Sequence, residues 1–98
     1  MKLRMIPLAR REMIRAARWY DRHAYELGDR FLDEVRVGIL AIKEFPSAHP
    51  PVFPGVRRWL LEDFPYGVVY RIEADTIVVI AIANLKRRPR YWMRRKTT

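Results

Sequence analysis

The sequence predicts an α+β fold of order β-α-α-β-β-β, a helical hairpin packed on one face of a mostly antiparallel four-stranded sheet. Three observations predict it. Residues 8–44 carry apolar side chains at spacings of three and four, in two runs broken between Tyr25 and Asp29, the pattern of two amphipathic helices joined by a short turn. Residues 64–84 change to period two and then to a β-branched apolar run, the pattern of a β-hairpin turning at Ala74-Asp75. Pro46, Pro50, Pro51 and Pro54 separate these halves, so neither pattern continues into the other.

Lys2 to Ile6 alternates cationic and apolar residues and suits a short first strand. Pro7 then fits the first turn of a helix, where its missing N–H leaves no bond unmade. From Leu8 to about Tyr25, Ala9, Met13, Ala16, Tyr20 and Ala24 share one side, while Arg11, Arg15, Arg18 and Arg22 form a ridge nearly opposite. Gly28 is the expected stop and Asp29 the expected N-cap of a second helix running to about Glu44. Its apolar stripe is Leu27, Phe31, Val35, Ile39 and Ile42. Gly38 lies in that stripe, at a cost of about 1 kcal/mol of helix propensity, which implies that another backbone packs closely there.

Phe45 to Gly55 reads as a loop without regular structure. Val56 to Glu62 reads as a strand with Arg58 beside Val56 and Leu60, and Arg57 beside Trp59 and Leu61. In the first arm of the hairpin Val68, Tyr70 and Ile72 share one face and Val69, Arg71 and Glu73 the other. The second arm, Thr76 to Asn84, is apolar on nearly every residue from Ile77 to Ala83, so it should be an interior strand covered on both faces. Ala74-Asp75 is a poor match to the usual two-residue turn, although Asp tolerates a left-handed conformation. The face left open by the helices would present Arg71 and one of Arg57 or Arg58.

With 98 residues the chain makes one domain, 1–98, ending in a basic tail at residues 86–98. Half of the residues are hydrophobic, which excludes a disordered chain despite 32% charged residues. The absence of cysteine and the wide separation of His23 and His49 exclude disulfide and zinc frameworks, and no cofactor or metal is expected. No apolar run approaches a membrane span and the N-terminus has no signal-peptide core, so the expectation is a cytoplasmic protein with no membrane contact. A net charge of +9 favours an acidic or polyanionic partner. Ser47 is the one serine and no Gly-rich phosphate loop exists, which sets aside serine-hydrolase and P-loop chemistry.

What remains are cations with phenols and an indole, of which Arg58, Arg71, Arg87, Arg90, Trp92 and Arg95 suit binding of a target or partner. Cleavage of RNA would need more, namely a base for the 2′-OH, a donor to the leaving oxygen and cations at the phosphate. For that chemistry the candidates are Arg57, Arg71 and Arg88 as cations, with Tyr91 or Lys86 for proton transfer. Whether the chain is an enzyme stays open at this point.

Trp19-Tyr20, Arg30-Phe31, Pro46, Gly55-Val56-Arg57, Phe64-Pro65-Tyr66, Tyr70-Arg71 and Arg87-Arg88-Pro89-Arg90-Tyr91-Trp92 occur in this order. Together they resemble the RelE/ParE superfamily of toxins from bacterial type II toxin-antitoxin systems. The resemblance implies two helices against an antiparallel sheet, a cognate antitoxin that neutralises the toxin, and contact with operator DNA only through that antitoxin. RelE-like members cleave mRNA on the ribosome, whereas ParE-like members inhibit DNA gyrase. The tail from Pro89 to Arg95 is more similar to the ParE branch, which implies a gyrase inhibitor, with a RelE-like ribosome-dependent endonuclease as the alternative and an inactive basic binding protein as a third reading. Many relatives carry histidine where this chain has Asn84, which removes a group able to exchange a proton near neutral pH.

Overall fold

Pro7 opens the first helix at the predicted position, and the rest of the fold follows the predicted order with one strand added. The computed structural model describes residues 1–97. Its elements are β1 (Lys2–Met5), α1 (Pro7–His23), α2 (Leu27–Glu44), β2 (Pro51–Phe53), β3 (Val56–Leu60), β4 (Tyr66–Glu73) and β5 (Thr76–Asn84). The sheet has five strands in the order β1-β5-β4-β3-β2, with β1 parallel to β5 and every other pair antiparallel. No described helix is long and apolar enough to cross a membrane.

The helical hairpin turns differently from the expectation. Gly28 does not stop α1 and Asp29 does not cap α2; Glu26 holds the N-cap in a left-handed conformation, φ 58°, and Gly28 lies inside the first turn. The physical reason is a cap supplied by the preceding helix. Asp21 of α1 accepts the Gly28 N–H at 2.8 Å, satisfying one of the N–H groups a helix start leaves free. A Cβ at Gly28 would stand 2.3 Å from the Ala17 carbonyl oxygen, so the two helices approach as closely as they do only because none is there.

Gly38 also admits a close neighbour, but a side chain and not the expected backbone. A Cβ there would lie 2.5 Å from the Trp59 ring, which packs from β3 onto α2. The passage from Phe45 to Gly55, expected to be irregular, contains β2 as a short strand along the outer edge of β3. Pro51 is tolerated there because an edge strand has a side on which no N–H is needed. This is the fifth strand, and it leaves the α+β class unchanged.

The β4-β5 hairpin pairs Glu73 with Thr76, so its loop is Ala74-Asp75 as expected. Ala74, and not the more tolerant Asp75, takes the left-handed conformation, φ 54°. β5 is interior, and Ile77 to Ala83 are all buried. A register shift between Val69 and Tyr70 leaves Ile80 without a partner in β4.

Trp59 fixes the two faces. Since it points to α2, Arg57 and Tyr70 share the helix side, and Arg58, Gly67, Val69 and Arg71 alternate to the other side. The helix layer contributes Ala9, Ala16, Ala17, Phe31, Val35 and Ile42 to the core. On the far side Trp92 of the tail is buried, 5% exposed, and lines a depression with Arg58 and Ala83.

Candidate functional site

The site grows from an unfinished sheet edge. β1 pairs with β5 only as far as Val79, so beyond it the Ile80 carbonyl and the Ile82 N–H have no strand beside them. A buried strand edge must satisfy these groups in another way. Glu12 of α1 accepts the Ile82 N–H at 3.1 Å, and Arg95 of the tail donates to the Ile80 carbonyl at 3.0 Å. The two side chains also meet each other, with Arg95 Nη1 on Glu12 Oε1 at 2.7 Å and Nη2 on Oε2 at 2.9 Å. Tyr91 donates its hydroxyl to Glu12 Oε2 at 2.6 Å. Helix, sheet edge and tail are therefore joined at one carboxylate.

The tail folds as a series of turns that allow this. Lys86 N–H is held by Asn84 Oδ1 at 2.9 Å, Arg90 takes φ 61°, and Met93 N–H returns to the Arg90 carbonyl at 3.0 Å. Arg87 lies over the Tyr91 ring, 3.8 Å from its centroid. Burial pushes the Tyr91 phenol well above the usual tyrosine range, and the hydrogen bond and charge of Glu12 push it further, against the opposing effect of Arg95 and Arg87. At neutral pH it is a hydrogen-bond donor and a poor base.

The predicted site residues fall into three depressions. Arg57 and Arg71 line one of about 230 Å³ with Ser47, Gly55 and Tyr70. Arg57 Nη1 donates to the His49 carbonyl at 2.7 Å, whereas Arg71 Nε is buried with no hydrogen-bond partner among the described residues. Arg58, Arg87, Arg88 and Arg90 line a second, of about 470 Å³, closed on one side by Trp92. Lys86, Arg87 and Tyr91 reach a third, of about 480 Å³, between α1 and the end of β5. The depression holding Arg57 and Arg71 includes none of Lys86, Arg88 and Tyr91, so the cations and proton-transfer candidates expected to act together are divided between places. Trp92 and Arg95, expected at a binding surface, serve the interior: the first is buried and the second keeps 13% of its side chain exposed.

Two features escaped the sequence reading. Glu12 is one; its only signal is a carboxylate spaced three and four residues from Ala9 and Ala16 on the inward side of α1. The other is the third depression itself, whose walls are Arg15, Trp19 and Tyr20 of α1 together with Pro65 and Tyr66. No group of metal-ligating side chains is found among the described residues.

The family model for the ParE toxin of type II toxin-antitoxin systems, parDE, matches residues 3–89. Among solved structures, a chain from the chromosomal ParDE toxin-antitoxin system of P. aeruginosa superposes with a TM-score of 0.64 at 20% identity, covering 88% of this chain and 97% of that one. No individually curated protein matches the sequence. The solved structure supports the fold, and the family model spans most of the chain, Glu12 included but Tyr91, Trp92 and Arg95 not.

Proposed function

This chain belongs to the ParE toxin family of type II toxin-antitoxin systems, and from that premise we propose that it acts in the cytoplasm by binding and inhibiting DNA gyrase until a cognate antitoxin neutralises it. The observation that carries a binding inhibitor over a nuclease is the state of Tyr91. Its phenol is donated to Glu12 and held protonated by burial, and the carboxamide of Asn84 in the same depression is no acid-base group. A ribonuclease needs a base within reach of the 2′-OH. The cations remain available for contact: Arg88 and Arg90 are exposed beside Arg58 and Arg87.

Purified gyrase assayed for DNA supercoiling at saturating toxin tests this reading. Supercoiling should stop, and replacing Arg88 and Arg90 together by Glu should weaken inhibition by about tenfold or more. Undiminished supercoiling by a folded protein overturns it. The RelE-like alternative is favoured by one observation, the Arg71 Nε that has no partner among the described residues and lies beside Arg57, which suits a phosphate oxygen. Translation-dependent cuts in a message, abolished by Arg71→Ala, would establish that alternative.

A further inference from the structure

We propose that the depression at the open end of β3, between Arg57 and Arg71, is a binding site for a tetrahedral oxyanion, free phosphate or the terminal phosphate of a small ester. Such a site uses the Arg71 group that favours the RelE-like reading, yet it needs neither a ribosome nor a cut in RNA. It also lies apart from Arg88 and Arg90, on which the gyrase reading rests. The sheet makes the hollow. β3 pairs with β4 only as far as Tyr70, opposite Arg57, so β4 runs on past the end of its neighbour, and Arg71 and Ile72 border a gap. Alternate residues leave a sheet on opposite sides, so Arg57 and Arg71 can share one hollow only where the sheet has such an end. Gly55 keeps it open: at φ 77° it turns the chain into β3, and a Cβ placed on it would meet nothing within 4 Å.

Charge points to the occupant. Two guanidinium groups and no carboxylate line the hollow. Arg71 forms no ion pair among the described residues, and Glu73, two positions along the same strand, holds the Thr97 hydroxyl instead, at 2.8 and 3.1 Å from its two oxygens. Arg71 Nε is the one buried side-chain nitrogen or oxygen without a partner among the described residues, the kind of group that a bound ion accounts for. Arg57 Nη1 is committed to the His49 carbonyl, which pins its fork and leaves Nη2 without a partner among the described residues. The Ser47 hydroxyl adds a donor at the rim. Guanidinium forks match the paired oxygens of a phosphate, and two like charges in one hollow repel until an anion stands between them.

Size and chemistry limit the ligand further. The volume, about 230 Å³, is below the ~300 Å³ at which pockets for drug-sized molecules begin, so it suits a small anion. No aromatic face is open for a base to stack on, because Tyr70 is fully buried. Its hydroxyl, raised by burial, is donated to the Pro46 carbonyl, and arginine stays charged at every working pH. The lining thus has no group that takes or gives a proton near neutral pH, and the site holds its anion without cleaving it.

The test titrates ¹⁵N-labelled protein with inorganic phosphate, with glycerol 3-phosphate and, at equal ionic strength, with acetate. The reporter is the Nε–H signal of Arg71, slowed in exchange by burial and assigned by its disappearance in Arg71→Lys. Phosphate should move it saturably and raise the melting temperature, and acetate should do neither. Glycerol 3-phosphate should bind as well, its ester group pointing out of the hollow; phosphate binding without the ester would assign the site to the free anion. Arg71→Gln and Arg57→Gln should each weaken phosphate binding by about tenfold or more, and Arg88→Gln should leave it unchanged. Arg71→Gln removes a cation that has no partner among the described residues, so without phosphate it should melt no lower than the parent chain. The proposal is overturned if the Arg71 signal does not move, if acetate moves it equally, or if Arg88→Gln weakens binding as much as Arg71→Gln. Supercoiling by gyrase and cuts in a message are separate readouts, so the failure of either reading leaves this result standing.

Discussion

Four hydrogen bonds converge on Glu12, from Ile82 N–H, the Tyr91 hydroxyl and both ends of the Arg95 fork. The pair is well buried, with 16% and 13% of the two side chains exposed. Removing one partner of such a pair leaves the other charge uncompensated, so Glu12→Ala should lower stability by about 3 kcal/mol, read as an earlier midpoint in urea. Tyr91 gives the pH dependence. Its phenol is raised in the folded chain, so below about pH 10 it is protonated both folded and unfolded and stability does not vary on its account. Above that pH the unfolded chain releases a proton that the folded chain keeps, and stability falls as pH rises. Tyr20, Tyr66 and Tyr70, raised chiefly by burial, add to the same alkaline loss. Tyr91→Phe should therefore flatten the decline of the melting temperature between about pH 10 and 12 without changing its direction.

At the scale of elements, the two helix glycines make opposite demands on what surrounds them. At Gly28 the obstacle to a Cβ is the Ala17 carbonyl of α1, which is backbone and cannot step aside without parting the helices. At Gly38 the obstacle is the Trp59 ring, which can tilt on its own torsions. Both changes to alanine gain about 1 kcal/mol of helix propensity. Gly38→Ala should therefore cost no more than about 1–2 kcal/mol net, while Gly28→Ala should cost more and also loosen the Asp21 cap. Chemical denaturation of the two variants side by side gives the ranking; equal losses would mean that the helix pair is not packed through Gly28. The hairpin turn offers the reverse case. Ala74 is held at φ 54°, and Ala74→Gly should stabilise the chain by roughly 0.5–1 kcal/mol.

On the scale of the whole molecule the basic tail divides into two functions. Tyr91, Trp92 and Arg95 turn inward and close the sheet edge and the face opposite α2, while Arg87, Arg88 and Arg90 stay outside. Trp92→Ala should thus lower stability by about 3–5 kcal/mol, since it empties a buried indole site. Arg88→Ala should leave stability within about 0.5 kcal/mol and act only on partner binding. Thermal unfolding and a salt titration of target affinity separate the two roles. A fold that tolerated Trp92→Ala would show that the tail is an appendage.

Periodicity was enough to read two helices, the β4-β5 hairpin, the interior placement of β5 and the α+β class, because burial of one face imposes a repeat on each element separately. The ordered family pieces were equally legible, and with them the toxin-antitoxin assignment. Periodicity missed β2 and read its stretch as a loop, since three residues of an edge strand bury too little to carry a pattern, and it misplaced the helix turn, because the cap comes from Asp21 and not from the adjacent Asp29. Nor did it separate the structural cation of the tail, Arg95, from those at the surface. That choice was made by an edge of β5 that β1 leaves uncovered and by a carboxylate 70 residues away from the N–H it receives. Local composition records what each segment can bury, and only the tertiary structure decides which polar groups are left over and must find one another.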